Sequence, residues 1–409
     1  MKTQRLIALL GAAALTVTLA ACSADPEASA EGSGQGSSAN AEEIIFGLNE
    51  DSTGPGASYA VIAGETIRMA VQEINDAGGI DGKQIRIVIG NDESDPTKTP
   101  TVVRKLVDDG AQVLIMDTGS AAVLQGKSVV KQAGIPAIAP TAVTTSVGLA
   151  PDNEFTYMLA NGVDQFAEAY CGAIEEKGYE KLAILSDASA AIDNINKLIV
   201  PILEDCVDVV AQESAPVDAA DLSAQVARIK QAKPDVLLVS SLGGNFEVLA
   251  HNTLHAQLPG VLRFSLASIG NQPDSWARAN PGALADVIYV GAIDKNNPQT
   301  VELEKKLKAV NGDDYRLTAY DAQAYDTVYL IKAAIEQAGG ADDPIAVRDA
   351  LDSITGYEAS FGQSGFTLSF GADKHIGADG LCGLVLSGFD EDNEPTGAWD
   401  DFQVPCELE

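Results

Sequence analysis

The chain has 409 residues, of which 46% are hydrophobic, and its 59 acidic side chains outnumber 26 basic ones, for a formal net charge of −33. A surface this acidic repels nucleic acid and anionic lipid headgroups, which argues against both as binding partners. The residues that follow the N-terminal segment are numerous enough for two folded domains.

The first residues have the pattern of a secretory signal. Lys2 and Arg5 precede an apolar stretch, Leu6 to Ala20, that is shorter than the roughly twenty residues needed to span a membrane. Residues 1–21 are therefore predicted to be a signal peptide that is cut before Cys22, as in a bacterial lipobox. Lipidation of Cys22 would anchor the protein to the outer face of the bacterial cell membrane, its only expected membrane association. The alternative is an ordinary cleavage site that happens to precede a cysteine.

A tether and four further cysteines follow. Residues 22–41 are mostly Ser, Gly, Ala and acidic side chains, a composition typical of a flexible linker. An exported protein is in an oxidising compartment, where an even number of cysteines favours disulfides. Three pairings are possible, and four buried free thiols are the alternative. We favour the two pairs that are local in sequence, Cys171 with Cys206 and Cys382 with Cys406.

Beyond the tether, strand-like apolar runs alternate with segments of helical periodicity. The first series has predicted strands at 44–48, 84–89, 112–116 and 135–138, with helices at 63–74, 99–108 and 120–131. The second has predicted strands at 182–186, 208–212, 236–242 and 287–293, with helices at 165–177, 192–204, 222–230 and 245–255. Three more helices, at 300–308, 321–338 and 345–353, are expected to return to the first series. The tail from about 365 is predicted to form β segments and loops.

Strands separated by single helices predict parallel sheets with helices on both faces. The fold class is therefore α/β, with two doubly wound, Rossmann-like lobes. A ligand is expected to bind between the lobes, at the carboxyl ends of the strands.

Four short motifs in the first series carry a family resemblance through their order and spacing. They are Ser52-Thr53-Gly54-Pro55 followed by Tyr59, the segment Glu73 to Gly82, the segment Asn91 to Pro96, and Gly134-Ile135-Pro136 followed by Pro140-Thr141-Ala142. With them the chain resembles the branched-chain amino acid-binding family, which has the type I periplasmic-binding fold. This resemblance implies that a three-segment hinge joins the two lobes.

The resemblance also implies where the lobes begin and end. It places lobe 1 at 42–159 plus 293–364 and lobe 2 at 160–292 plus 365–409. The hinge segments are expected near 158–162, 290–294 and 362–370.

The function implied by the family is capture of a solute by hinge closure. The ligand would be an amino acid or a related small carboxylate, and the partners an ABC permease and its ATPases. The protein is expected to be a monomer and to need no cofactor and no catalysis. The alternative is a ligand-sensing receptor of the same fold that binds an amide, a urea or an aromatic acid.

Two loops of the first lobe are expected to hold the ligand's carboxylate. A helix N-terminus with a hydroxyl group can bind a carboxylate without arginine, and Ser120 opens a helix. In the family these loops lie at Thr118-Gly119-Ser120 and at Thr141-Ala142 with Thr144, and Tyr59 lies on the cleft wall. The alternative for Ser120 is a plain helix cap.

The second lobe departs from the family pattern. Relatives that bind leucine-like ligands carry tyrosines where this chain has Ala190-Ala191 and Leu242-Gly243. The glutamate that pairs with the ligand's ammonium group aligns with Ser268. A buried ammonium without a carboxylate is costly, so either Asp187 or Asp321 replaces that glutamate or the ligand has no ammonium group.

Tyr320 and Asp321 open a predicted helix and are the remaining cleft candidates of the first lobe. The alternative for them is a core tyrosine and a capped helix.

Three local patterns suggest other functions and lack their usual context. Asp117-Thr118-Gly119-Ser120 matches an aspartic protease signature, but a second copy, needed for the paired carboxylates, is missing from the sequence. Ala121 to Ser128 loosely resembles a nucleotide-binding loop, but Ala122-Val123-Leu124 extends a helix where that motif needs a glycine-rich loop, and Lys127 is expected to be exposed. His251 and His255 are four residues apart without the HExxH pattern, so no metal is expected.

Overall fold

The computed structural model describes residues 43–266, 269–378 and 380–406. The predicted signal peptide, Cys22 and the tether lie outside these ranges, and so does Ser268. Within them, the apolar segments of the helices are too short or too polar to span a bilayer.

The first sheet has five strands, all parallel. Its elements in chain order are β1 (Ile44–Glu50), α1 (Ala57–Asp76), β2 (Ile85–Gly90), α2 (Thr99–Asp108), β3 (Val113–Asp117), α3 (Ser120–Ala133), β4 (Ala137–Ala139) and β5 (Thr156–Met158). The strand order is β2-β1-β3-β4-β5, and β3 is buried along its length, as expected for a central strand covered on both faces. The carboxyl ends of all five strands therefore share one edge of this sheet.

The middle of the chain builds a second parallel sheet in the same way. Its elements are α4 (Val163–Lys177), β6 (Lys181–Asp187), α5 (Ala190–Glu204), β7 (Asp208–Ala215), α6 (Ser223–Ala232), β8 (Val236–Ser240), α7 (Gly244–Gln257), β9 (Leu262–Ser265), α8 (Pro273–Trp276) and β10 (Val287–Val290). The strands pair in the order β10-β9-β8-β6-β7. The mixed α/β fold with two parallel-sheet lobes, predicted from the sequence, is confirmed.

The chain then returns to the first lobe before it ends in the second. The remaining elements are α9 (Pro298–Asn311), α10 (Ala319–Ala338), α11 (Pro344–Asp352), β11 (Tyr357–Glu358), β12 (Thr367–Leu368), β13 (Leu386–Phe389) and β14 (Pro395–Ala398). Val328 and Ile331 of α10 share a buried core with Ile67 of α1, so these helices cover the first sheet as predicted. Strands β13 and β14 extend the second sheet with antiparallel pairings.

The third connection between the lobes differs from the expected position. Phe366, Leu368 and Phe370 pack in the core of the first lobe, and Ile376 lies in a parallel bridge with Met158 beside β5. The chain reaches the second lobe's core only at about Leu384. The predicted hinge segment at 362–370 is therefore part of the first lobe, because its aromatic side chains are needed to cover that core.

Both predicted disulfides are present. Cys171 of α4 pairs with Cys206, 35 residues later, and Cys382 pairs with Cys406, 24 residues later. The second bond lies in the segment that connects the lobes, where Gln363 donates hydrogen bonds to the carbonyls of Leu384 and Val404. It therefore joins the C-terminal segment to the third connection.

Lys127 is buried, contrary to the expectation of an exposed side chain. Its ammonium group donates to the carbonyl oxygens of Ser146 and Leu149 at 2.9 and 2.6 Å. Burial lowers the pKa of this lysine. Lys127 thus supports the turn after the 141–144 loop.

Candidate ligand-binding site

The carboxyl edges of the two sheets face each other and are in contact. Gln272 donates from Nε2 to Ser58 Oγ at 3.1 Å, and Asn271 Oδ1 accepts from the backbone N–H of Ala319 at 2.9 Å. Arg316 and Glu394 form a third contact, with 3.5 Å between Nε and Oε2. Sequence reasoning missed these residues, because nothing in their spacing shows that they reach the other lobe.

Ser120 joins the two loops that were predicted to hold a carboxylate. It is the first residue of α3, and its Oγ accepts from the backbone N–H groups of Val143 and Thr144 at 3.0 and 3.2 Å. A hydroxyl has two acceptor positions and one donor, so the O–H of Ser120 remains for another acceptor. Gly119, Ser120 and Thr144 are half-buried. A carboxylate at this position would also meet the free N–H groups of the first turn of α3.

The other residues of these loops lie deeper. Thr118 is fully buried and donates to Asp51 Oδ1 at 3.0 Å, and Thr141 donates to Asp117 Oδ1 at 3.4 Å. Ala142 is also buried. The hydroxyl groups of Thr118 and Thr141 are therefore used within the protein, and these two residues support the loops that carry Ser120.

Two tyrosines of the first lobe lie side by side at the cleft. The rings of Tyr59 and Tyr320 are 5.6 Å apart between centroids, and both residues are half-buried. A Cβ atom on Gly119 would come within 3.3 Å of the Tyr59 hydroxyl, and one on Gly56 within 2.9 Å. The two glycines therefore let the Tyr59 hydroxyl approach the backbone at the starts of α1 and α3.

Buried carboxylates lie directly below this wall. Asp92 Oδ2 accepts from Asn49 and Thr99, both at 2.7 Å, and Thr118 lies between Asp92 and Asp51. Burial, reinforced by the neighbouring Asp92, raises the pKa of Asp51 to about 7. The first lobe's candidate site thus has acidic residues beneath it, Asp51 and Asp92, although the loops that face the ligand offer neutral donors.

The two carboxylates that were candidates to pair with an ammonium group are both bound by protein donors. Asp187 accepts from the backbone N–H groups of Ser189 at 2.9 Å and Leu242 at 3.2 Å, which links the ends of β6 and β8. Asp321 is a capping-box residue with Thr318 at the start of α10, and it also accepts from Thr66 and Tyr315. This arrangement favours the helix-capping alternative for Asp321.

Sequence reasoning missed another carboxylate, Glu247, on the first turns of α7. Its side chain is fully buried, and Ser265 Oγ donates to Oε1. Burial raises its pKa to about 8, and burial together with the charge of Glu247 raises the pKa of Tyr320 across the cleft. A glutamate four residues before His251 on a helix face with Ala250 and Leu254 was the available signal.

The predicted absence of a metal site stays a prediction, although the described ranges contain no cluster of His, Cys, Asp and Glu suited to a metal ion.

These buried carboxylates predict how stability depends on pH. Burial raises to about 7 the pKa values of Asp51 and of Asp326, a buried residue of α10 that accepts hydrogen bonds from Ser360, and raises that of Glu247 to about 8, from 3.8 and 4.5. A raised pKa in the folded state means that stability is complete below the unfolded value and is lost as pH rises through the folded value. We therefore expect the melting temperature to fall between about pH 5 and pH 8.5, measured calorimetrically with enough salt to screen surface charge.

The matched variants for this prediction are Asp326→Asn and Glu247→Gln, which cannot ionise. Each substitution should make the melting temperature less dependent on pH. A melting temperature that rises over this range would contradict the raised pKa values of these carboxylates.

Comparisons with known proteins agree with the two-lobed fold. The family model for periplasmic binding proteins matches residues 43–379. The Leu/Ile/Val-binding protein homolog 1 of Brucella suis is 27% identical over 327 residues, which cover 76% of this chain and 82% of the relative. The Leu/Ile/Val-binding protein BraC3 of Rhizobium johnstonii is 28% identical over 322 residues, with coverages of 76% and 83%.

Solved structures show the same fold. The branched-chain amino acid transporter substrate binding protein LivJ of Streptococcus pneumoniae, solved in complex with isoleucine, superposes with a TM-score of 0.76 at 20% identity, covering 87% of this chain and 99% of that one. A putative branched-chain amino acid ABC transporter protein of Silicibacter pomeroyi gives a TM-score of 0.72 at 22% identity, with coverages of 89% and 99%.

Proposed function

The chain belongs to the periplasmic binding protein family, and from this premise we propose that it captures an amino acid or a related small carboxylate for an ABC importer. The observation that carries the proposal is the donor cluster at the start of α3. Ser120 lies against the 141–144 loop and keeps its O–H for an outside acceptor. The names of its relatives, which describe Leu/Ile/Val-binding proteins, support the same class of ligand.

The proposed mechanism is closure of two lobes around the ligand. The ligand binds first to the Ser120 loop of the first lobe, and contacts with the second lobe then favour the closed form. Gln272 and Asn271, which bridge the lobes, would form part of that closed interface. A ligand shifts this equilibrium only by its higher affinity for the closed form.

Anchoring and delivery complete the proposal. The family is extracytoplasmic, and the cysteine at position 22 after a signal-like segment supports attachment through a lipid. The closed, loaded protein would then dock on a membrane permease driven by separate ATPases. Delivery requires no chemistry from this chain.

The proposal is tested by a thermal-shift screen of residues 41–409 against amino acids, amides, polyamines and small carboxylic acids. A ligand at a hundred times its dissociation constant stabilises the folded state by about 2.7 kcal/mol. We expect at least one α-amino acid or small carboxylate to give such a shift. Stabilisation by polyamines alone, or by nothing in the panel, would contradict the proposal.

Uptake then separates import from sensing. Deletion of the gene should abolish accumulation of the labelled ligand if the protein serves an importer. Normal uptake with a lost transcriptional response would favour a sensor instead.

A further inference from the structure

We propose that Glu247 pairs with a protonated amino group of the ligand, so that the site selects amino acids over acids that lack this group. The inference rests on the proposed function and adds to it a residue and a charge for the ligand. Glu247 occupies a different element from Asp187 and Asp321, which were the candidates from sequence.

The position of Glu247 is set by the carboxyl edge of the second sheet. Helix α7 begins four residues after β8 ends, and Glu247 lies in its first turns. Its Oε1 accepts from Ser265, the last residue of β9, and the backbone N–H of Ile269 lies near enough to the carboxylate to offset part of the rise in its pKa. Ile269 opens the short 3-10 helix that ends at Asn271. The carboxylate thus lies beside the segment that reaches the first lobe.

The second oxygen of Glu247 gives the reason to expect a cation. Among the described residues, no donor lies within hydrogen-bonding distance of Oε2, although this atom is buried. A buried carboxylate is costly unless its oxygens are hydrogen-bonded or paired with a cation. An ammonium group of the ligand would supply both the charge and the donors.

The described protein groups around Glu247 do not supply the cation that its carboxylate needs. His251, one turn deeper in α7, has its Nε2 3.6 Å from Oε1, too far for a hydrogen bond. The guanidinium group of Arg263 donates to the carbonyl oxygen of His251 and forms an ion pair with Asp286. The remaining charged or titratable neighbours are acidic or phenolic, namely Asp187, Tyr170 and Tyr320.

Tyr320 connects this carboxylate to the other wall of the cleft. It belongs to the first lobe, lies against Tyr59, and has its pKa raised by burial and by the charge of Glu247. A ligand held by its carboxylate at Ser120 would therefore meet the tyrosine pair and, beyond it, Glu247. A ligand that carries both a carboxylate and an amino group could therefore bridge the two walls of the cleft.

The test compares binding of paired ligands to Glu247→Gln and to the wild type. Each proteinogenic L-amino acid is paired with the carboxylic acid that lacks its amino group, and affinities are measured by calorimetry. We expect the substitution to weaken amino acid binding by about 30-fold or more, since it removes one partner of a buried ion pair. Affinity for the acids without an amino group should change little. His251→Gln is the matched control, a buried neighbour of Glu247 that should leave the preference unchanged.

A second measurement separates pairing from a structural role. The raised pKa of Glu247 means that the free protein holds a proton there at pH 7, and pairing with an ammonium would release it. In buffers of different ionisation enthalpy, the wild type should release about one proton per ligand and Glu247→Gln none.

The outcomes distinguish this inference from the proposed function. Amino acids bound equally by the wild type and Glu247→Gln would overturn the role of Glu247, and so would a wild type that binds only acids without an amino group. In both cases the proposed capture function would stand. A wild type that binds neither class would overturn the proposed function itself.

Discussion

Removal of the two disulfides is expected to lower the free energy of unfolding by roughly 3–4 kcal/mol for each bond. The bonds close loops of 35 and 24 residues, and in the chain-entropy account a cross-link stabilises by restricting the unfolded chain. The measurement is urea unfolding of Cys171→Ala with Cys206→Ala and of Cys382→Ala with Cys406→Ala. Midpoints equal to that of the wild type, or four reactive thiols in the native protein, would contradict the prediction.

The two double variants should differ in their effect on binding. The Cys171–Cys206 bond lies within the second lobe, between α4 and the turn that follows α5. The Cys382–Cys406 bond fixes the third connection between the lobes, where the backbone N–H of Gln363 also donates to the Cys382 carbonyl at 2.9 Å. We therefore expect the second variant alone to weaken ligand binding, because a loosened connection makes the closed form less favourable.

The fold was predictable because its signals are local. The apolar β3, the helical spacing in α1 and the single helices between strands indicate a parallel α/β architecture without knowledge of distant contacts. Both disulfides were predicted for the same reason, since each joins cysteines that are near in sequence. The third connection was misplaced because packing of Phe366 and Phe370 on the first lobe depends on segments far away in the chain.

The arrangement of the candidate site was predictable only in its first lobe. The Ser120 loop and the 141–144 loop follow strands and contain hydroxyl groups, so their position at the carboxyl edge could be derived. Asp321 stands three residues after Thr318, the spacing of a capping box, and this local signal should have taken precedence over a role in the cleft. For Glu247 the only local signal was its place on a helix face with Ala250 and Leu254, because its burial is decided by β9, which packs against it.

Ser120 provides the second prediction with a large expected effect. Ser120→Ala should weaken ligand binding by about 1–3 kcal/mol, because it removes a donor to a charged group and the acceptor for two backbone N–H groups. Ser120→Asp should weaken binding by about 100-fold or more, because it places a negative charge where the ligand's carboxylate is expected.

The contrast between these two variants tests the orientation of the ligand, which a loss of affinity alone does not. If the carboxylate lies at Ser120, the aspartate repels it, and raising the salt concentration should reduce only part of this effect in a half-buried cleft. If the amino group lay there instead, Ser120→Asp would bind an amino acid more tightly than Ser120→Ala does. Ser223→Ala is the matched control, since this exposed serine also begins a helix and should leave binding unchanged. Equal affinity in calorimetry for the wild type, Ser120→Ala and Ser120→Asp would exclude Ser120 from the site. Tighter binding by Ser120→Asp would mean that the ligand's amino group lies at Ser120, so that it could not pair with Glu247.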